Sequence, residues 1–128
     1  MSYYISRQLK MSIDDAEALT RDALAKEGFG VLTEIDVRGT LKKKLDVDFP
    51  PYRILGACNP PFALKALQSE PRVGTMLPCN VILRELSKTE VEVSAVDPAA
   101  SMQAIDNPAL AEIAEEIREK LMRVLGSL

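Results

Sequence analysis

Residues 79–96 contain two runs of alternating side chains, Cys79-Asn80-Val81-Ile82-Leu83-Arg84-Glu85-Leu86 and Glu90-Val91-Glu92-Val93-Ser94-Ala95-Val96, joined only by Ser87-Lys88-Thr89. Three residues cannot carry a chain back across a sheet, so these two strands are antiparallel neighbours. Asp97-Pro98 ends the hairpin, residues 99–106 read as a small-residue loop, and Asn107-Pro108 supply the cap and first-turn proline of a long helix. Leu110, Ile113, Ala114, Ile117, Leu121, Val124 and Leu125 recur at helical spacing as a stripe broad enough to lie on a sheet. The same spacing predicts solvent-side pairs Glu116 with Lys120 and Glu119 with Arg123, and a stop at Gly126.

Upstream, residues 3–9 alternate Tyr3, Ile5 and Leu9 against Tyr4, Ser6 and Gln8, the pattern of a half-buried strand. Ser12, followed by Asp14 and Asp15, caps a helix from Ile13 to Glu27 whose stripe is Ile13, Ala16, Leu19, Ala23 and Leu24; Gly28 ends it and Phe29 anchors it. Residues 30–37 form a second strand, with Val31, Thr33, Ile35 and Val37 on one face and Leu32, Glu34 and Asp36 on the other. The charged stretch 39–48 reads as a loop with at most one helical turn. Residues 52–58 form a third strand, with Tyr52, Ile54, Gly56 and Cys58 on one face. Asn59 then caps a short helix opened by Pro60-Pro61, with Phe62, Ala63, Ala66 and Leu67 on its apolar side.

This order has too few crossover helices for a doubly wound parallel sheet. It predicts an α+β two-layer sandwich: a mainly antiparallel five-stranded sheet, covered on one face by the first and last helices, with a short helix between strands three and four. The chain of 128 residues has no repeat or linker that would split it and reads as one domain, residues 1–128.

There is no histidine, which removes His-based nucleophile systems, His general bases, His-bound zinc and proximal-His haem. Net charge is −3, with Arg38, Lys42, Lys43 and Lys44 giving +4 within residues 38–44, so the rest of the chain is acidic. Nucleic acid is not an expected partner, because phosphate affinity needs many clustered cations. No signal-like apolar segment and no run of about 18 apolar residues occurs, so no membrane association and a cytoplasmic location are expected, with both cysteines as thiols.

Gly28-Phe29-Gly30-Val31-Leu32-Thr33-Glu34-Ile35-Asp36-Val37, Leu55-Gly56-Ala57-Cys58-Asn59-Pro60, Leu77-Pro78-Cys79-Asn80-Val81 and Val96-Asp97-Pro98 together resemble the domain of unknown function 302 family, over nearly the whole chain. The resemblance implies a β-α-β4-α fold of the TATA-binding-protein-like class, with the later strands as an antiparallel meander against a long C-terminal helix. It implies no catalytic residue. It also implies that strands three and four are antiparallel neighbours, in which case Cys58 and Cys79 meet at one end of the sheet on the same side; a parallel crossover would put them a strand length apart.

Adjacent thiols at Cys58 and Cys79 can form a dithiol, a reversible disulfide or a two-thiolate site for a soft ion such as Cu(I). The simpler reading makes both small buried hydrophobes and the chain free of cofactors. Asn59 and Asn80 are candidate polar groups at a pocket mouth, although Asn59 also reads as the helix cap. Glu34 and Asp36 share a strand face and form an acid/base pair only if that face is covered. Lys42, Lys43 and Lys44 are a candidate anion site without phosphate-loop spacing, and read first as a solvated charge run. Three functions follow in order: a non-catalytic module that binds a small apolar ligand or a protein partner, a dithiol or soft-metal protein, and a histidine-independent enzyme. Short sheet edges suggest self-association, most simply as a homodimer.

Overall fold

The computed structural model describes residues 2–128. Ser12 accepts a hydrogen bond from the Asp15 amide and opens α1, Ile13–Lys26, while Asp14 and Asp15 complement its positive end. Gly28 takes the left-handed conformation, φ 86°, that releases the chain into β2, Gly30–Asp36. The other strands are β1 (Tyr4–Leu9), β3 (Tyr52–Cys58), β4 (Cys79–Ser87) and β5 (Glu90–Val96). They form one sheet of order β1-β5-β4-β3-β2 in which every neighbouring pair is antiparallel. The predicted α+β sandwich and the β4–β5 hairpin are both present.

Register divides the sheet into two faces. Leu55, Ala57, Cys79, Val81, Leu83, Val91, Val93 and Ala95 point to one side, are all buried, and meet α1 and the long α5, Pro108–Gly126. Arg7 points the same way and its Nη1 donates to the carbonyls of Leu125 and Gly126 at 3.0 and 2.9 Å, satisfying the negative end of α5. A second apolar cluster, Ala66, Val73, Met102, Leu110 and Ala114, joins α3 (Pro60–Ser69) to the N-terminal half of α5.

Several expectations are corrected. The stretch read as a loop at 39–48 is largely helix α2, Val37–Leu45, because the Asp36 carboxylate accepts from the Gly39 amide and Asp46 takes a left-handed C-cap. Residues 99–101 of the expected second loop belong to a short helix, α4 (Pro98–Ser101), capped by Asp97 on the Ala99 amide. In β2 the register slips at Leu32, so that Val31 opposes Ala57 and Thr33 opposes Gly56. This bulge moves Thr33 and Ile35 to the face opposite Val31, and puts Glu34 and Asp36 on Val31's side. In α1 the buried stripe runs Ile13, Ala16, Thr20, Ala23 and Leu24, leaving Leu19 38% exposed. A helix turns about 100° per residue, so position 20 falls beneath 13 and 16 where position 19 does not. On α5 the predicted four-residue pairs are absent: Arg123 bonds Glu27 at 2.9 Å, and Lys120 lies over the Phe62 ring. Gly126 is the last helical residue, and Ser127 caps the helix in right-handed geometry.

Two packing details generate predictions. The Thr20 hydroxyl is buried without a hydrogen-bond partner, so Thr20→Val, which keeps the shape and removes the unpaired hydroxyl, is expected to stabilise the fold by about 1 kcal/mol in urea unfolding. A methyl added at Gly56 would run into the Thr33 hydroxyl and lie 2.7 Å from Pro78 Cγ. Gly56→Ala is expected to lower unfolding stability by about 1–3 kcal/mol.

Candidate functional site

The face of the sheet turned away from α1 and α5 is built from the alternate residues of each strand. Asn80, Ile82 and Arg84 of β4 lie beside Glu92, Ser94 and Val96 of β5, with Tyr4 and Ser6 of β1 on one side and Tyr52 of β3 on the other. All of these except Ser6, together with Tyr3 and the segment Thr75–Pro78, line an open cleft of about 640 Å³. Arg84 and Glu92 are register partners, and their side chains meet through Nε to Oε1 at 2.8 Å and Nη2 to Oε2 at 3.3 Å. The Ser94 hydroxyl lies 3.3 Å from Glu92 Oε1 and 3.1 Å from the Ser6 hydroxyl, so polar groups continue across β4, β5 and β1. The hydrogen bond from Arg84 holds the Glu92 carboxyl below the usual carboxylate range. Glu92 is therefore an acceptor, and the ion pair carries no net charge. Tyr4 packs edge-on against Tyr3 with centroids 5.0 Å apart, and Tyr52 against Phe49 at 6.3 Å.

A second cavity of about 320 Å³ lies at the end of the sheet where β3 runs into α3. Phe29, Phe62, Ala63, Ala66, Leu77, Met102 and Ile117 are among its walls, and both Cys58 and Cys79 reach it. The segment 99–106, expected as a loop, contributes Met102. Asn59 is the polar side chain among its lining residues, and it is already engaged: its Nδ2 donates to the Glu27 carbonyl at 3.1 Å. Asn59 stands at the N-cap position of α3 but makes no side-chain cap bond, which corrects the capping expectation. The Glu27 carbonyl at the end of α1 instead orients the amide by accepting from its Nδ2, which fits there because Gly28 has no side chain; a Cβ there would sit 3.2 Å from Asn59 Nδ2.

The antiparallel pairing of β3 and β4 holds, but Cys79 opposes Ala57 rather than Cys58. Because side chains alternate along a strand, the thiols start from opposite faces of the sheet end, which corrects the same-side expectation. Both are free thiols, Cys79 buried and Cys58 partly exposed. Burial, and secondarily the neighbouring Cys58, push the Cys79 thiol up to about 11. Among the described residues no three Cys, Asp or Glu side chains gather as a metal-holding cluster.

The other sequence candidates are not brought to either cavity. Glu34 pairs with Arg21 at 2.9 Å and Asp36 caps α2, so the two carboxylates share a face but have separate structural partners. Lys42 pairs with Asp46 and Asp48 at 2.9 and 3.3 Å, while Lys43 and Lys44 are exposed on α2. Asn80 lines the open cleft and Asn59 the apolar pocket, so the two amides do not share one mouth. Sequence reasoning missed Tyr4, Tyr52, Arg84, Glu92 and Ser94 as a group. The available signal was the hairpin itself, since counting back from the turn sets Arg84 opposite Glu92 on the outward positions.

No helix among the described residues is long and apolar enough to cross a membrane. No curated protein matches the chain. Among solved structures it is similar to the crystal structure of an uncharacterized conserved protein DUF302 from Bacillus stearothermophilus, with 28% identity over 99% of this chain and 98% of that one and a TM-score of 0.91. Residues 5–128 match the family described as domain of unknown function DUF302, and the chain belongs to that family.

Proposed function

We propose that this protein is a non-catalytic binding module whose ligand is a small apolar molecule held in the pocket between α3 and the Cys58/Cys79 end of the sheet. The observation that carries this reading is the lining: a cavity of about 320 Å³ whose walls are aliphatic, aromatic and sulfur-bearing side chains. That size sits at the small end of ligand pockets, and an apolar wall with few polar groups favours a compact hydrophobic guest. Its polar lining side chain, Asn59, is committed to Glu27, and Cys79 is held as a neutral thiol. An amide does no acid/base work near neutral pH, and a thiol raised to about 11 is almost wholly protonated there. Leu32 and Leu67, both exposed beside the pocket, give an incoming apolar molecule a surface to land on.

The neutral dye N-phenyl-1-naphthylamine tests this. Its fluorescence is expected to rise with the native protein, and Ala63→Phe, which fills the pocket from α3, is expected to abolish the rise while leaving the melting midpoint within a few degrees. A native protein that leaves the dye dark, or an Ala63→Phe variant that binds as well as wild type, overturns the reading.

A dithiol or soft-metal role is the second reading, favoured by the presence of both sulfurs at one cavity. Burial of Cys79 weighs against it, since the thiolate is the nucleophile and the metal ligand. At pH 8 only about one Cys79 in a thousand is ionised for a value near 11. Iodoacetamide is therefore expected to modify Cys58 first, with Cys79 labelling rising steeply as pH approaches 11, as read by peptide mass mapping. Because the folded value is raised, the stabilisation from the neutral thiol is complete below the unfolded thiol range and is lost as pH rises through about 11. Rapid labelling of Cys79 at pH 7, or a diamide-induced mobility shift absent from Cys58→Ser, would favour the dithiol instead.

A further inference from the structure

We propose that the open face of the sheet is a second, independent site, and that it takes a short neutral oligosaccharide, with sugar rings against Tyr4 and Tyr52 and hydroxyls on Asn80, Arg84, Glu92 and Ser94.

Charge comes first. Arg84 and Glu92 cancel one another at 2.8 Å, so the floor of the cleft carries no net charge with which to recruit an anionic or cationic ligand. A neutral ligand can use the pair intact. The chemistry of the floor points to which neutral ligand. Arg84 retains donor capacity beyond the Nε and Nη2 contacts to Glu92. Glu92 is an acceptor, Ser94 is a hydroxyl, and the exposed Asn80 amide supplies both a donor and an acceptor. Donors and acceptors thus alternate over a short distance, which suits vicinal hydroxyl groups that each donate and accept.

The aromatic groups fix the shape. Tyr4 stands on β1 opposite Val96, and Tyr52 on β3 opposite Arg84. Three strand spacings across and four residues along separate their backbones by roughly 20 Å on the diagonal. Two flat apolar rings with polar tips at that separation, and a polar floor between them, match an extended chain of sugar rings better than a single ring. The cleft volume of about 640 Å³ has room for such a chain.

The test is an amide-resolved NMR titration of the full chain with cellotetraose, maltotetraose and N-acetylchitotetraose, each to roughly ten times a millimolar dissociation constant. At least one sugar is expected to shift the amides of Asn80, Ile82, Glu92 and Ser94. Tyr52→Ala and Tyr4→Ala are expected to weaken it about tenfold or more, while Tyr52→Phe, which keeps the ring, stays close to wild type. If an alanine variant fails to fold, Asn80→Ala, at an exposed position, is expected to weaken binding as well. Naphthylamine binding at the apolar pocket should be unchanged in Tyr52→Ala, so failure of one site does not decide the other. Absence of shifts with all three sugars, shifts confined to other regions, or burial of this face in a dimer at the titration concentration overturns the proposal.

Discussion

The pleat of the β4–β5 hairpin is the constraint on which the rest of the molecule depends. Val81, Leu83, Val91, Val93 and Ala95 are all essentially inaccessible to solvent, and each large apolar side chain of this kind contributes about 1.5–3 kcal/mol when fully buried. Their burial against α1 and α5 assigns every intervening residue to the other face. Arg84, Glu92, Ser94, Asn80 and Ile82 are gathered there because their neighbours are in the core. A register slip by one residue would exchange the two sets, driving an arginine and a glutamate into the interior. The core and the cleft are thus two sides of one choice of register.

The helices are held to this sheet by polar contacts as well as by apolar area. Arg53, on the helix-facing side of β3, donates to Asp14 at 2.8 Å and to Glu17 at 2.9 Å on α1, and Arg21 links Glu17 to Glu34 of β2. Single exposed pairs of this kind are worth little. Linked around the partly shielded Arg53, they set which face of α1 meets the sheet and give Glu34 its partner in Arg21.

Most of the architecture was legible because its signals are local. Ser12, Gly28, Asn107-Pro108 and the short turn between β4 and β5 each act on the chain within a few residues, and the class of fold follows from the order of elements. The errors arose where a residue answered to something distant. Leu32 is bulged, and strict alternation reverses after it; no residue type in 30–37 announces a bulge. Asn59 carries the side chain of a helix cap but is claimed by the Glu27 carbonyl, 32 residues earlier. Arg123 has a partner at the expected helical spacing and instead reaches Glu27. For the site, the two cysteines stood out by their chemistry, yet one register step decides which way each points. The open cleft was harder to see, because its members are ordinary residues made notable only by the strands that align them.

The guanidinium of Arg7 has a consequence for how the protein is made. Its two acceptors are the carbonyls of Leu125 and Gly126, and the strand that carries it pairs with β5, Tyr4 opposite Val96. During vectorial synthesis the first strand therefore emerges from the ribosome long before either partner exists. Its partner strand β5 follows β2, β3 and β4, which pair with one another in sequence order. Non-local closure of this kind is slow relative to local pairing. Through Arg7 the sheet's first strand is tied both to β5 and to the last turn of α5, two contacts that no segment before β5 can supply.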